Sequence, residues 1–257
     1  MQLSQVYEIF YSFSMHIIKL SAIDSTNSYL KQLISNQFVE NYTVVLTKNQ
    51  TNGKGQMGSR WESESGKNLT MSVLVKDSLL LIEEIFSLNC LISIAVLEVL
   101  KNKASLDLSV KWPNDIMSGN YKIGGILIEN NIKSDGEIQS IVGIGINVNQ
   151  INFTDLPKAS SLKNITGKEF DLLNLVVEIV ERIKFHTAKL RNGNTAEIWN
   201  LYHKHLFKLG MPMPFELPSG ERFMGIIQKV NKEGRLQLLL DDDRILSFGV
   251  KEVVMLY

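Results

Sequence analysis

The sequence contains a single cysteine and carries no excess charge of either sign. Cys90 alone excludes an intramolecular disulfide and a metal site with several cysteine ligands, and its apolar surroundings predict a buried packing role. Lysine plus arginine equals aspartate plus glutamate at 27 each, so no global field favours nucleic acid and any anion binding must be local. We therefore expect no nucleic-acid partner.

A targeting signal and a membrane-spanning run are also missing from the pattern. Residues 1–14 carry Glu8 and no basic residue, and no small-residue cleavage pattern follows them, which argues against a signal peptide. The most apolar run, residues 85–100, is interrupted by polar residues, is too short to span a bilayer and indicates a buried helix. These features predict a cytoplasmic protein that does not act at a membrane.

The composition predicts a globular protein with one large domain and a small module. With 257 residues, 44% of them hydrophobic, the chain can bury a large core. From Met211 onward, short strand-like runs alternate with turns such as Pro-Ser-Gly and Asp-Asp-Asp, which predicts a small β-barrel. The expected domains are an N-terminal extension at residues 1–14, a main domain at 15–211 and the barrel at 212–257.

Local patterns predict the regular elements of the main domain. Strands are expected at residues 16–20, 42–46, 69–75, 106–111, 121–129 and 138–148. Helices are expected after the cap residues Asp24-Ser25-Thr26-Asn27 and at residues 79–101, 171–190 and 194–209. The strands at 42–46 and 69–75 are close enough in sequence to pair, and the connection between them would project from a sheet edge.

That connection, residues 48–67, is rich in glycine and is named the glycine loop below. The loop contains Gly53, Gly55, Gly58 and Gly66. Glycine has no side chain, so the backbone at these positions can approach a ligand closely. Up to Trp61 its charges are all positive: Lys48, Lys54 and Arg60. Backbone N–H groups and cations together predict a site for phosphate or carboxylate oxygens. A mobile surface loop is the alternative. The spacing matches neither a Walker loop nor a Rossmann turn.

Two further segments place polar or small residues where strands end or pack closely. The segment Lys111-Trp112-Pro113-Asn114-Asp115 follows a strand, and a strand end is where sites are commonly built. Lys122 enters a strand whose pair Gly124-Gly125 indicates a bulge or close backbone approach. The run Gly143 to Val148 has alternate glycines, so one strand face must receive another backbone, a helix or a flat ligand.

These motifs, together with Gln50 to Trp61 of the glycine loop and in the order in which they occur, resemble those of biotin–protein ligases over nearly the whole chain. The resemblance implies an α+β fold: a catalytic domain related to class II aminoacyl-tRNA synthetases, with a mixed sheet and helices, followed by an SH3-like barrel. It also implies a reaction in two steps. Biotin and MgATP give biotinyl-5′-adenylate and pyrophosphate, and a lysine of a biotin carboxyl carrier protein then takes the biotinyl group.

The resemblance also assigns site residues. It implies catalytic roles for Lys122, Lys54 and Lys111. It implies contacts with biotin or its adenylate for Ser25, Thr26, Asn27, Gln50, Gly53, Lys54, Gly55, Gln56, Trp61, Asn114, Asp115, Lys122, Gly124 and Asn147. Mg²⁺ would arrive with ATP, near Asn114 or Asp115. The family often has arginines where this chain has Gln56, Met57 and Ser59, so the contribution of position 56 to holding the adenylate is open.

Two alternative functions and two oligomeric states remain open at this point. Lipoate–protein ligases share the fold and the chemistry, although the Lys-Trp-Pro-Asn-Asp turn and the placement of the glycine loop favour biotin. A non-catalytic regulator that binds a cofactor is the second alternative. The sequence is compatible with a monomer or a homodimer.

Overall fold

The structure, a computed structural model, describes residues 6–11, 15–76, 85–103, 106–133, 137–154 and 156–257. A mixed sheet with strand order β1-β2-β3-β4-β8-β7-β6-β5 forms its centre. These strands are β1 Val6–Tyr11, β2 Met15–Leu20, β3 Val44–Thr47, β4 Leu69–Lys76, β5 Leu108–Lys111, β6 Asp115–Ser118, β7 Tyr121–Ile132 and β8 Ile138–Ile146. The helices are α1 Thr26–Asn36, α2 Ile85–Lys103, α3 Leu162–Thr166, α4 Leu172–Arg191 and α5 Thr195–Lys204. This architecture confirms the α+β prediction.

Strands β3 and β4 pair with each other, as predicted, and the pairing is antiparallel, but both strands lie inside the sheet. β3 also pairs in parallel with β2, and β4 pairs with β8 along its whole length. The prediction that the glycine loop projects from a sheet edge is therefore wrong. The loop leaves the ends of two interior strands and folds back across one face of the sheet, where it meets α1 and β8.

Helix α2 is the centre of the hydrophobic core. By length and composition alone Ile85–Lys103 could cross a membrane, but 72% of its most apolar window is buried inside the protein. It packs against α4, α5 and the sheet, which accounts for its apolar surface. The predicted start of this helix at Leu79 lies outside the described residues.

Helix α5 ends five residues before the predicted end at Leu209. After Lys204 the chain turns into pairing with β5, where the Val110 N–H donates to His205 O and the Phe207 N–H donates to Val110 O. This pairing between distant segments overrides the local helical pattern. The strands β1 and β6 and the short helix α3 were not predicted, and Asp115 opens β6 rather than closing a turn.

A second, antiparallel sheet follows α5, in the region where a small β-barrel was expected. Its strand order is β12-β11-β10-β9-β13, with β9 Pro212–Glu216, β10 Arg222–Val230, β11 Leu236–Leu239, β12 Ile245–Phe248 and β13 Val254–Met255. Stacked rings of Phe215, Phe223 and Phe248 fill its interior. The Trp112 indole N–H donates to Gly234 O at 2.9 Å, so a turn of this sheet contacts the end of β5.

Candidate active site

A cavity opens between the start of α1, the glycine loop and the ends of strands β4, β6, β7 and β8. Its volume is about 240 Å³, which is below the roughly 300–1,000 Å³ that is common for ligand sites. The glycine loop forms one wall of the cavity, with residues between Lys54 and Trp61. Eleven of the predicted site residues line it: Ser25, Thr26, Asn27, Gln50, Lys54, Gly55, Gln56, Trp61, Asn114, Asp115 and Lys122.

The inner end of the cavity is a buried polar network at the first turn of α1. Ser25 caps the helix, which buries Thr26 and Asn27 behind it. Gln50 Oε1 accepts from the Thr26 N–H at 2.8 Å and from Thr26 Oγ1 at 3.1 Å. Ser72 Oγ lies 2.7 Å from Thr26 Oγ1 and 2.6 Å from Asn27 Oδ1. Hydroxyls and amides at this end suit a ligand that has both donors and acceptors.

Two glycines of β8 create the floor of the cavity. A Cβ at position 143 would lie 2.5 Å from Asn27 Oδ1, and a Cβ at position 145 would lie 2.5 Å from Cε2 of Trp61. Both distances are far below van der Waals contact. The side chains of a helix and of the glycine loop therefore cover the strand face that the alternate glycines leave open.

The glycine loop is held by hydrogen bonds to itself. The Trp61 N–H donates to Gly53 O at 3.0 Å, and the Gly55 N–H donates to Ser59 O at 2.8 Å. A side chain at position 53 would overlap the Trp61 carbonyl, since its Cβ would lie 2.3 Å from that oxygen. The loop is joined to α1 where Lys54 Nζ donates to Ser28 Oγ at 2.8 Å.

Charged groups gather at the outer end of the cavity. Asp115 Oδ1 lies 2.5 Å from Lys122 Nζ, and its Oδ2 lies 3.6 Å from Lys111 Nζ. Asp115 is the only acid among the lining residues that the structure describes, whereas Lys54, Arg60 and Lys122 are cations. The cavity is thus net positive and fits an anionic ligand.

The turn before Asp115 is fixed by two side-chain amides. Asn89, a buried polar residue of α2, donates through Nδ2 to Pro113 O at 2.8 Å. Asn114 donates through Nδ2 to Ile126 O on β7 at 2.5 Å. The Ile126 N–H donates to Asn114 O at 3.1 Å, so the peptide units on both sides of Asn114 are held where Asp115 begins β6.

Four predicted site residues do not line the cavity. Lys111 faces Asp115, which borders the cavity. Gly53 O accepts from the Trp61 N–H within the glycine loop. Gly124 lies beside a β-bulge, and a Cβ at this position would lie 2.8 Å from Gly145 O. The glycine pair therefore marks both a bulge and a close backbone approach, the two alternatives that the sequence left open. Asn147 donates to Ser160 O at 3.0 Å. The adenosine contact that the resemblance implies for Asn147 stays a prediction.

Several lining residues were not assigned to the site from the sequence. They are Ser59, Arg60, Thr70, Met71, Gly125, Ile126, Leu127, Gly143, Ile144 and Gly145. Thr70 and Ser72 interrupt the apolar strand β4 at a spacing of two, which places them on one face. This alternation is a signal that could have identified β4 as a wall of the site.

Two histidines away from the cavity have structural partners. His186 Nε2 lies 2.8 Å from Glu98 Oε2 between α4 and α2, and His203 Nε2 lies 2.9 Å from Val230 O. Burial lowers the pKa of His205, and the charges of Lys101 and Lys204 lower it further. Within the described ranges, no group of three or more His, Cys, Asp or Glu side chains is arranged to hold a metal ion.

Cys90 is buried in α2 without a disulfide partner. Burial raises the pKa of its thiol well above the usual value, with a small opposing effect of a backbone hydrogen bond. A thiol that stays protonated is a poor nucleophile. The packing role predicted for Cys90 agrees with this position.

The fold is that of biotin protein ligases. The biotin protein ligase of Aquifex aeolicus, solved in complex with biotin and ATP, superposes with a TM-score of 0.77 at 26% identity, over 93% of this chain and 97% of the other. The model of the Biotin/lipoate A/B protein ligase family matches residues 20–149, and the chain belongs to that family. The resemblance found in the motifs is thereby confirmed.

Curated relatives match beyond this segment. A protein of Bacillus spizizenii named Bifunctional ligase/repressor BirA is 33% identical over 87% of this chain and 69% of its own length. Its counterpart of the same name in Bacillus subtilis is 32% identical over 93% of this chain and 72% of its own length. The similarity therefore includes the second sheet as well as the family segment.

Proposed function

We propose that this protein is an ATP-dependent biotin–protein ligase, which forms biotinyl-5′-adenylate and transfers the biotinyl group to a carrier lysine. The observation that carries the choice of biotin is the buried polar network at the inner end of the cavity. Biotin ends in a cyclic urea, which has two N–H donors and a carbonyl acceptor, whereas the dithiolane of lipoate has neither. Thr26 and Gln50 bond each other and both line the cavity, so a cyclic urea can extend this hydrogen-bond network, whereas a dithiolane offers it no donor or acceptor.

The outer end of the cavity suits the first chemical step. The carboxylate of biotin attacks the α-phosphorus of ATP, the bond to the bridging oxygen breaks, and pyrophosphate leaves. Both reactants are anionic, so the site must offset their repulsion and the charge that grows on the phosphoryl oxygens. Lys122 and Lys54 are the cations we assign to this role, because both residues line the cavity.

MgATP is the substrate that brings the metal. A phosphate-bound Mg²⁺ is commonly held by one or two protein carboxylates together with phosphate oxygens and water. Asp115 fits this requirement, since its carboxylate borders the cavity beside the amide of Asn114. Lys122 and Lys111 balance its charge until the nucleotide arrives.

The second step needs a protein partner. The ε-amine of a lysine attacks the acyl carbon of the adenylate, an amide bond forms, AMP leaves, and the amine loses a proton. A biotin carboxyl carrier domain supplies such a lysine and is the partner we propose. The small cavity under the glycine loop keeps water from the adenylate until that lysine enters.

Pyrophosphate release tests the choice of substrate. We expect release to require biotin and MgATP together, and to be on the order of a hundredfold slower with lipoate, because a dithiolane offers no hydrogen bonds to Thr26 and Gln50. Mass spectrometry of a carrier domain incubated with the protein, biotin and MgATP should show one added biotinyl group. Equal release rates with biotin and lipoate would contradict the proposal.

A matched pair of serine variants tests the network itself. Ser72→Ala removes a hydroxyl beside Thr26 and should raise the KM for biotin roughly tenfold. Ser140→Ala serves as the control, because Ser140 is also buried on a central strand but bonds Asn130 outside the cavity. Equal effects of the two substitutions would assign Ser72 to the fold alone.

A further inference from the structure

The segment after β13 returns to the outer end of the cavity. The Leu256 N–H donates to Pro214 O at 2.9 Å, which directs Tyr257 toward the catalytic sheet. The ring of Tyr257 then packs edge-on against Phe207, with centroids 5.2 Å apart at 72°. The segments after α5 and after β13 therefore meet here, close enough to Asp115 for its charge to act on Tyr257.

Two lysines enclose the ring of Tyr257. Lys158 Nζ lies 4.3 Å from the ring centroid and donates to the backbone oxygen of Tyr257. Lys111 Nζ lies 5.3 Å from the same centroid. Both distances are within the range in which an ammonium is attracted to an aromatic ring. Tyr257 is thus the aromatic partner of Lys111, whose ammonium also faces Asp115.

The surrounding strands connect this cluster to Lys122. The Lys122 N–H donates to Lys158 O at 2.8 Å, and the Ser160 N–H donates to Lys122 O at 3.0 Å. Lys158, which fixes Tyr257, therefore belongs to the segment that supports the backbone of Lys122. Burial raises the pKa of the Tyr257 hydroxyl, and the charge of Asp115 raises it further, so the ring stays neutral beside the carboxylate.

The charges of this cluster have a consequence for adenylation. Lys122 is paired with Asp115 while no substrate is bound, and the phosphate of ATP must draw it away. Lys111 is then the protein cation that stays at the carboxylate, in addition to the Mg²⁺ that the nucleotide brings. A Lys111 held near Asp115 lowers the cost of releasing Lys122, whereas a Lys111 free to turn to solvent does not.

We propose that Tyr257 is a positioning residue for adenylate formation, because its ring holds the Lys111 ammonium at Asp115 and so frees Lys122 for the substrate. The inference rests on the proposed biotin ligase function. Tyr257, which follows β13 of the second sheet, would thereby act in adenylate formation.

Two substitutions at position 257 test this role. Tyr257→Ala should lower the kcat of biotin-dependent exchange of pyrophosphate into ATP about tenfold. Tyr257→Phe keeps the ring and should retain activity within twofold. Transfer of biotin from preformed adenylate to the carrier domain should be unchanged in both variants. Phe38→Ala is the control, because Lys76 Nζ also lies over that ring, at 4.5 Å, but far from the cavity.

A structural readout accompanies the kinetics. Reductive ¹³C-methylation of the lysines should give a Lys111 signal, identified by its loss in Lys111→Met, that is shifted by the ring current of Tyr257. The shift should vanish in Tyr257→Ala and persist in Tyr257→Phe. Unchanged exchange in Tyr257→Ala, or an unchanged Lys111 signal, would overturn the proposal, as would an equal loss in the phenylalanine variant.

Other outcomes separate the two proposals. A parallel fall of exchange, transfer and thermal midpoint in Tyr257→Ala would give Tyr257 a role in the fold alone and overturn its positioning role. Absence of biotin-dependent exchange in the unmodified protein would refute the proposed function. The Lys111 signal would then still decide whether Tyr257 holds that ammonium.

Discussion

Lys122 lies in β7, and the residue lines the cavity. Its ion pair with Asp115 leaves about a third of the side chain exposed, so the pair can exchange for a phosphate oxygen without a large desolvation cost. The neighbouring Lys111 is more enclosed and remains beside the carboxylate. Lys122 is therefore placed to leave Asp115 for a phosphate oxygen, and Lys111 is placed to remain at Asp115.

Removal of the Lys122 ammonium should slow adenylate formation strongly and leave the stability of the fold nearly unchanged. We expect Lys122→Ala to slow adenylate formation on the order of a hundredfold, as for the loss of one donor that stabilises a growing negative charge. Lys163→Ala is a matched control, since Lys163 pairs with Glu169 on the surface. Pyrophosphate exchange at saturating substrates measures the effect. Wild-type rates in Lys122→Ala would remove the assignment.

The glycine loop is the element whose motion the chemistry requires. Its residues between Lys54 and Trp61 line the cavity, so the loop must open to admit the substrates and close to protect the adenylate from water. Its glycines make the closed state entropically costly when the site is empty. Anionic ligands that bind its N–H groups and Lys54 can offset that cost.

Limited trypsinolysis reports on this motion. Lys54 and Arg60 are exposed in the loop, so the protein without ligand should be cut there first, giving fragments of about 54 to 60 and about 200 residues. Biotin with MgATP should slow the cut severalfold, whereas lipoate with MgATP should not. Resistance at both residues without ligand, or a rate that ligands do not change, would mean that the loop is preformed.

The elements also show where sequence patterns suffice. The strands β4 and β8 follow their β-branched runs to within two residues, because a local pattern of buried residues defines each of them. The end of α5 was misplaced because it depends on pairing with β5, which local sequence does not contain.

The same distinction applies to the site. Residues within the motifs at α1, the glycine loop and β6 reach one cavity, as the order of motifs predicted. Ser72 was missed because its place opposite Gly143 follows from the register of β4 on β8. Register between strands that are distant in the chain is a property of the whole sheet, and no single segment encodes it.

At the level of the whole molecule, the packing of α4 on α2 includes charged contacts: Lys103 pairs with Glu178, and a second group of charges is centred on Glu98. Glu98 faces the buried His186 and also Arg182, whose Nε lies 3.3 Å away. Burial raises the pKa of Glu98, but the hydrogen bond and charge of His186, followed by the charges of Arg182 and Lys189, outweigh burial and lower it. A carboxyl with a depressed folded-state pKa stabilises the protein above its unfolded pKa and loses this contribution as pH falls through the folded value.

The sign of this effect gives a stability prediction. Glu98→Gln should lower the free energy of unfolding by about 1 kcal/mol at pH 7, a value discounted because Glu98 is one third exposed. The difference from the unmodified protein should shrink as the pH falls through the lowered pKa of Glu98, where the carboxyl takes up its proton. Urea titrations at pH 7 and pH 3.5 measure it, with Glu169→Gln as the surface control. A difference that grows on acidification would contradict the prediction.

The hydrogen bond from Trp112 to Gly234 can form only late in the synthesis of the protein. Its two partners are 122 residues apart, and the indole lies directly beside the turn that positions Asn114 and Asp115. At roughly 5–20 residues per second, the ribosome adds Gly234 about 6 to 24 s after Trp112. During that interval the nascent chain already contains Lys54, Asp115 and Lys122, but the turn lacks its carbonyl partner from the second sheet. Translation thus supplies the groups for adenylation before it supplies the contact that completes their support.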